Sequence, residues 1–242
     1  DYIMVSHIHI DHAGGSGTLM RHLPKAKLIV HPRGASHMVK PEKLWEQSKL
    51  VLGKVAIAYQ EIEPVPESRV ITPSDGAVFD LGGTVQVKVL ETLGHASHHL
   101  AYFDTDSQGI FQGDAAGIYF PKLDATIPTA PAPFHLEMTL ASIHKMAQLQ
   151  PKRLYYTHYG PVENAPERLK RYEAQLHLWA NVTSEAVKRG DSLESIYQQI
   201  LKRDPQMKAT ADLISKHLVL REGVAIQNVQ GFVEYFKKKS LA

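Results

Sequence analysis

The sequence predicts an α/β fold followed by an all-helical C-terminal part. Three observations predict it: a strand, loop, helix, strand beginning, a middle section of short β-prone runs, and apolar positions at helical spacing only beyond Gly160. Tyr2 to Val5 is the first strand, Leu19 to His22 closes a short helix, and Lys27 to His31 is a second strand with Pro32 opening a helical turn. Residues 42–59 place Leu44, Val51, Leu52, Val55 and Tyr59 at roughly helical spacing, and Glu63-Pro64-Val65-Pro66 ends that pattern. The runs 69–72, 77–81, 84–92, 100–104 and 109–112 read as strands, punctuated by Gly82-Gly83 and by Asp106-Ser107-Gln108-Gly109. Residues 117–134 are proline-rich without a period and read as a long loop. A helix over 136–149 and a strand over 153–157 complete this part. Leu169, Tyr172, Leu176, Trp179, Val182 and Ala186 then form one apolar stripe, with Pro166 near its start and Gly190 past its end. Asp191 and Glu194 have the spacing of a capping box for a second helix, Asp204-Pro205 starts a third, and a fourth covers 225–238. The division expected is an α/β domain over 1–160 and a helical extension over 161–242, the latter a packing or oligomerisation element rather than a lid.

Composition narrows the function. Lys and Arg number 27 against 25 Asp and Glu, a balance of −1 over residues 1–160 and +3 over 161–242, so neither part has the basic excess of a nucleic-acid binder. The absence of cysteine removes every thiolate ligand and fits a reducing cytoplasm. No apolar run approaches the ~20 residues that span a bilayer, and no signal-peptide pattern opens the sequence. A small-molecule substrate is therefore the expected partner, with no membrane and no nucleic acid.

His7-Ile8-His9-Ile10-Asp11-His12 sets four metal-capable side chains into six residues directly after the first strand. If extended geometry persists to residue 9, His7 and His9 point to one side and two imidazoles grip one ion. Ala13-Gly14-Gly15-Ser16-Gly17 then supplies a permissive turn that swings Asp11 and His12 towards a second position. Further candidates sit just past strands: His95 after Gly94, Asp114 after Gly113, and His158 after Thr157. Strand ends are where a rigid sheet holds loop residues in place.

Taken together, these motifs resemble the metallo-β-lactamase fold superfamily, in its order and across residues 6–160. The resemblance implies an αββα sandwich with the metals at one edge. His7, His9 and His95 would hold one divalent ion, Asp11, His12 and His158 a second, and Asp114 would bridge them. Zinc is implied by the glyoxalase-II-like and lactonase-like members, with iron or manganese also compatible. His99 matches a histidine of many relatives that hydrogen-bonds to a ligand, and His98 is expected to face the pocket. Relatives have several strands ahead of the first motif, so N-terminal strands are expected to be missing here. Lactonases of acyl homoserine lactones often carry Tyr three residues after the bridging Asp; that position is Gly117, and Tyr119 is out of register. His22, His31, His37, His144, His177 and His217 have no partner pattern and are read as structural or surface residues.

The activity expected is hydrolysis of small esters, thioesters or lactones by a metal-bridging hydroxide, with Asp11 both ligand and proton handler. Tyr119, Phe120, Lys122, Phe134 and His98 are the expected substrate wall. The alternatives are a phosphodiesterase or nuclease of the same fold, and a sulfur-dioxygenase-like oxidoreductase with one iron on His7, His9 and His95. A homo-oligomer through the helical extension is a further expectation.

Overall fold

In a computed structural model of the chain, which describes residues 1–217, 220 and 223–240, the run Leu28-Ile29-Val30 is fully buried. Consecutive residues of a strand point to opposite faces, so this strand has a covered layer on each side. It is β2 (Lys27–Ile29), the centre of a parallel sheet between β1 (Tyr2–Met4) and β3 (Val70–Ile71). On one face Leu28 and Val30 join Val5, Ile8, Ile10, Met20 and Met38. These come largely from α1 (Ile10–Ala13), α2 (Ser16–His22) and α3 (Pro32–Val39). On the other face Ile29 packs with Val87, Val89, Leu100 and Tyr102, carried by β5 (Gln86–Glu91) and β6 (Leu100–Asp104), which run antiparallel to each other, with β4 (Val78–Asp80) antiparallel to β5. Residues 42–59 form two helices, α4 (Glu42–Leu52) and α5 (Lys54–Tyr59), parted at Gly53 with φ 53°. These elements make one compact unit, Asp1–Glu91 with Ser97–Asp106.

The second unit is Thr92–Ala96 with Ser107–Ala242. Its strands β7 (Gly109–Gly113) and β10 (Arg153–Tyr156) are parallel, with a register shift between Tyr155 and Tyr156. Helix α6 (Leu136–Gln148) lies between them in sequence. The stretch beyond Gly160 is not purely helical: β11 (Gly160–Glu163) turns back antiparallel to β10. It begins where the positive φ of Tyr159 (77°) and Gly160 (99°) closes a tight hairpin. Nor is 117–134 a featureless loop, because β8 (Ile118–Phe120) and β9 (Ala125–Ile127) pair as a hairpin across Asp124 in the left-handed conformation. Pro121 opens the one-turn helix between them instead of disrupting a strand.

Four α-helices follow among the described residues: α7 (Ala165–Arg189), α8 (Leu193–Arg203), α9 (Pro205–Lys216) and α10 (Val224–Ser240). The stripe read from the sequence is buried, with Trp179, Leu176 and Tyr172 sealed from solvent, and Gly190 ends α7 with φ 78°. The cap of α8 lies one residue later than the Asp191–Glu194 spacing suggests. Ser192 Oγ accepts from the Ser195 N–H, while Asp191 pairs with Arg189. Asp204 caps α9 as expected. No helix among the described residues is long and apolar enough to cross a membrane.

Candidate metal centre

In the first unit the chain leaves β1 under tight control. The Val5 carbonyl accepts from the Tyr102 hydroxyl at 2.7 Å, and the Ser6 carbonyl accepts from the Leu100 N–H at 2.7 Å. The strand itself stops at Met4, and His9 is the N-cap residue of α1. The backbone of His9 is extended, with φ −58° and ψ 148°, and the two imidazoles meet: His7 Nε2 lies 2.9 Å from His9 Nδ1, and His7 Nδ1 is 3.1 Å from Ser6 Oγ. Asp11 and His12 follow on α1, where Asp11 Oδ2 and His12 Nε2 are 3.4 Å apart, and the His12 ring lies 4.0 Å from that of His7.

Gly14 and Gly15 form the turn between α1 and α2 that the sequence suggests, with right-handed backbone angles, and the need at Gly17 is space, since a Cβ there would stand 2.2 Å from the Glu63 carbonyl oxygen. His99 is fully buried and stacks on His7 with ring centroids 4.9 Å apart. His98 Nδ1 accepts from the Ile8 N–H at 3.4 Å, with its ring 5.7 Å from that of His9. Sequence reasoning passed over Tyr59. Burial, and then the negative charge of Asp11, raise its pKa, which places this helix-end phenol within electrostatic reach of the motif.

The second unit assembles its own set. Parallel β7 and β10 end side by side, β7 at Gly113 before Asp114 and β10 at Tyr156 before Thr157-His158. Thr157 Oγ1 donates to the Gly113 carbonyl at 3.1 Å and holds the two ends together. Asp114, buried, faces an imidazole with each oxygen: Oδ2 is 3.7 Å from His95 Nε2, and Oδ1 is 3.7 Å from His158 Nε2. His95 Nδ1 lies 3.0 Å from the Thr129 carbonyl oxygen. A carbonyl only accepts, so Nδ1 carries the proton and Nε2 is left with its lone pair towards Asp114. Thr129 is the second residue that sequence reasoning missed, because its contribution to His95 comes from the backbone. Its hydroxyl also donates to the Asp114 carbonyl at 2.5 Å. Burial pushes the Tyr156 hydroxyl up to about 12 and raises that of Tyr172 further, so both phenols stay protonated at neutral pH.

The donor sets fit divalent ions. Two ligands of one tetrahedral ion, each ~2.0–2.2 Å from it, stand roughly 3.3–3.6 Å apart. The two 3.7 Å gaps at Asp114 are close to that spacing and too long for hydrogen bonds. Imidazole and carboxylate suit zinc, iron or manganese.

Of the residues expected at a substrate wall, Tyr119, Phe120 and Phe134 are buried and Lys122 is exposed. Tyr119 bonds to Asp124 at 2.9 Å, and Phe134 packs on Phe232. Several histidines without a partner pattern have local partners: His31 with Glu91, His144 with Glu173, and His217 with Tyr159.

This fold, with histidines and aspartates gathered at the ends of its strands, defines a metal-binding type of α/β scaffold. A family model of the metallo-beta-lactamase superfamily matches residues 1–158, and the chain belongs to that superfamily. It is 31% identical over 188 residues to the metallo-beta-lactamase fold-containing protein ST1585 of Sulfurisphaera tokodaii, across 74% of this chain and 70% of that protein. The crystal structure of ST1585 from Sulfolobus tokodaii superposes with a TM-score of 0.64 over 72% of this chain and 67% of its own. The metallo-beta-lactamase family protein TTHA1429 from Thermus thermophilus is 19% identical. It superposes over 99% of this chain and 75% of its own with a TM-score of 0.66, so the shared fold includes the C-terminal helices. The α/β sandwich with a helical extension is thus the architecture of this chain.

Proposed function

We propose that the protein is a metal-dependent hydrolase of small esters, thioesters or lactones. In this reading His7 and His9 act with His95 on one divalent ion, Asp11 and His12 act with His158 on a second, and Asp114 serves both. The observation that carries it is the fork at Asp114, whose two oxygens face two different imidazoles at equal 3.7 Å separations. A bridging carboxylate needs that arrangement, whereas a single ion would use only one side of the fork.

When bound, two such ions supply Lewis acidity and an acidified water, its pKa lowered towards ~7. The chain does the rest. Thr129 and Ser6 hold the His95 and His7 rings by their Nδ1 atoms, which fixes the direction of each Nε2. Asp11, partly exposed beside His12, is placed to take a proton from the attacking water and pass it on. Of the residues proposed for a substrate wall, Lys122 is exposed and His98 lies beside His9, whereas Tyr119, Phe120 and Phe134 are buried.

The test is metal quantification followed by a panel of ester, thioester, lactone and phosphodiester substrates. Two zinc ions per chain with carboxyl-ester, thioester or lactone turnover support the reading. One iron per chain with sulfur oxidation, or turnover of phosphodiesters alone, overturns it.

A further inference from the structure

The backbone partner of His95 is itself held from the far end of the chain. The Thr129 carbonyl that accepts from His95 Nδ1 and the Ala130 N–H belong to one peptide unit, which is planar and rigid, with oxygen and hydrogen pointing in opposite directions. That N–H donates to Asn228 Oδ1 at 2.8 Å. Ala130 and Asn228 are both buried, and an N–H can only donate, so the orientation of the Asn228 amide is fixed. One turn along α10, Gly231 lets the helix backbone close onto the same segment; a Cβ there would stand 1.8 Å from the Ala130 carbonyl oxygen. The neighbouring stretch is gripped similarly, the Thr126 N–H by Gln206 Oε1 at 3.0 Å and its carbonyl by Gln175 Nε2 at 2.8 Å. Side-chain amides of the helical extension thus hold the backbone of Thr126 and Ala130.

We propose that Asn228 is a positioning residue for the metal ligand His95, acting through the Thr129–Ala130 peptide, so that the helical extension is part of the metal-binding apparatus. This rests on the reading of His95 as a ligand. By accepting from the N–H end, Asn228 fixes the tilt of the peptide and polarises its carbonyl, which strengthens the bond that orients the imidazole and raises its basicity. Asn228 Nδ2 makes no hydrogen bond among the described residues. The acceptor function is therefore separable from the rest of the side chain.

The experiment measures zinc affinity of the full chain by competition with a chromophoric chelator, alongside urea unfolding of the metal-free protein. Asn228→Leu keeps the branched shape and removes the acceptor. Asn228→Asp keeps the acceptor and adds a buried carboxylate. The expected result is crossed: both variants lower stability, Asn228→Leu by stranding the buried Ala130 N–H and Asn228→Asp by burying a carboxylate, but only Asn228→Leu weakens one of two zinc ions, by about 10- to 100-fold, while Asn228→Asp retains zinc affinity. Affinity that merely follows stability in both variants, or wild-type affinity in Asn228→Leu, overturns the proposal. If Asn228→Leu does not fold, Asn228→Gln, which displaces the same acceptor by one methylene, replaces it with the same two outcomes. His95→Ala serves as the control. If it binds zinc as the wild type does, or the wild type binds none, the ligand reading itself fails. If it loses one ion while Asn228→Leu loses nothing, only the positioning role fails.

Discussion

Trp179 donates its indole N–H to Asp204 Oδ2 at 2.7 Å inside the helical region, both side chains being sealed from solvent. The same oxygen accepts from Gln175 Nε2, and Oδ1 caps α9 through the Gln206 N–H. One buried carboxylate therefore ties α7 to the start of α9, and Gln175 and Gln206 carry the tie on to Thr126. Asp204→Ala would strand three donors at once and remove a helix cap. It is expected to destabilise the protein by on the order of 3 kcal/mol. Trp179→Phe, which loses one donor and keeps most of the packing, is expected to cost about 1–2 kcal/mol. Urea unfolding of both variants at neutral pH measures the difference, and equal losses would contradict the assignment of Asp204 as the shared hub.

Gly94 precedes His95 with φ 129°, and a Cβ there would lie 2.1 Å from Thr139 Oγ1 and 2.5 Å from its backbone nitrogen. Its carbonyl accepts from the His135 N–H at 3.1 Å, so the start of α6 sits directly against it. Gly94→Ala combines backbone strain with overpacking, and a loss of about 3 kcal/mol is expected. Thermal unfolding checks it; a variant as stable as the wild type would show that the helix can give way.

Glu137 gives a pH dependence with a defined sign. Burial alone would push its pKa up. Hydrogen bonds from Lys239, from the Tyr235 hydroxyl and from its own backbone outweigh that and bring it from 4.5 down to about 2. A carboxyl depressed in the folded state contributes stability above its unfolded value, and that contribution fades as pH falls from 4.5 towards 2. The side chain is about half exposed, so screening limits the contribution to roughly 0.5–1 kcal/mol. Glu137→Gln is expected to be less stable than the wild type at pH 7 and to converge with it near pH 2. A difference independent of pH would remove the ion cluster from the explanation.

The strands ahead of His7, Asp114 and His158, and the cluster of metal-capable side chains itself, were legible in the sequence because both are local. His7 to His12 follow a β-prone run within six residues, and Asp114 and His158 each follow a strand whose parallel partner ends beside it. What was illegible depends on partners distant in sequence or on the backbone. The Thr129 carbonyl has no residue-type signature. The β8–β9 hairpin and the residues after it are completed by amides far along the chain, on Gln175, Gln206 and Asn228. Of the glycines after the motif, Gly14 and Gly15 do form the turn, but the role of Gly17 depends on a distant partner, since it is small to admit the Glu63 carbonyl. Asp191 resembles a cap, yet Arg189 and Gln199 claim its carboxylate and leave the cap to Ser192.

Asp114→Asn separates the charge of the forked carboxylate from its shape. The amide keeps one oxygen and replaces the other with a donor, so at most one of the two imidazoles retains a ligand-type oxygen opposite it at 3.7 Å. If Asp114 serves two ions, the variant is expected to lose one of them and to lose hydrolysis by more than ~100-fold, beyond what loss of an outer hydrogen-bond partner causes. Thr129→Val is the companion. It removes the hydroxyl that donates to the Asp114 carbonyl and leaves the backbone carbonyl that orients His95 in place. Its metal content is therefore expected to stay near that of the wild type. Metal analysis and turnover on the same samples decide the matter, and an Asp114→Asn protein with full metal content would remove the bridge from the mechanism.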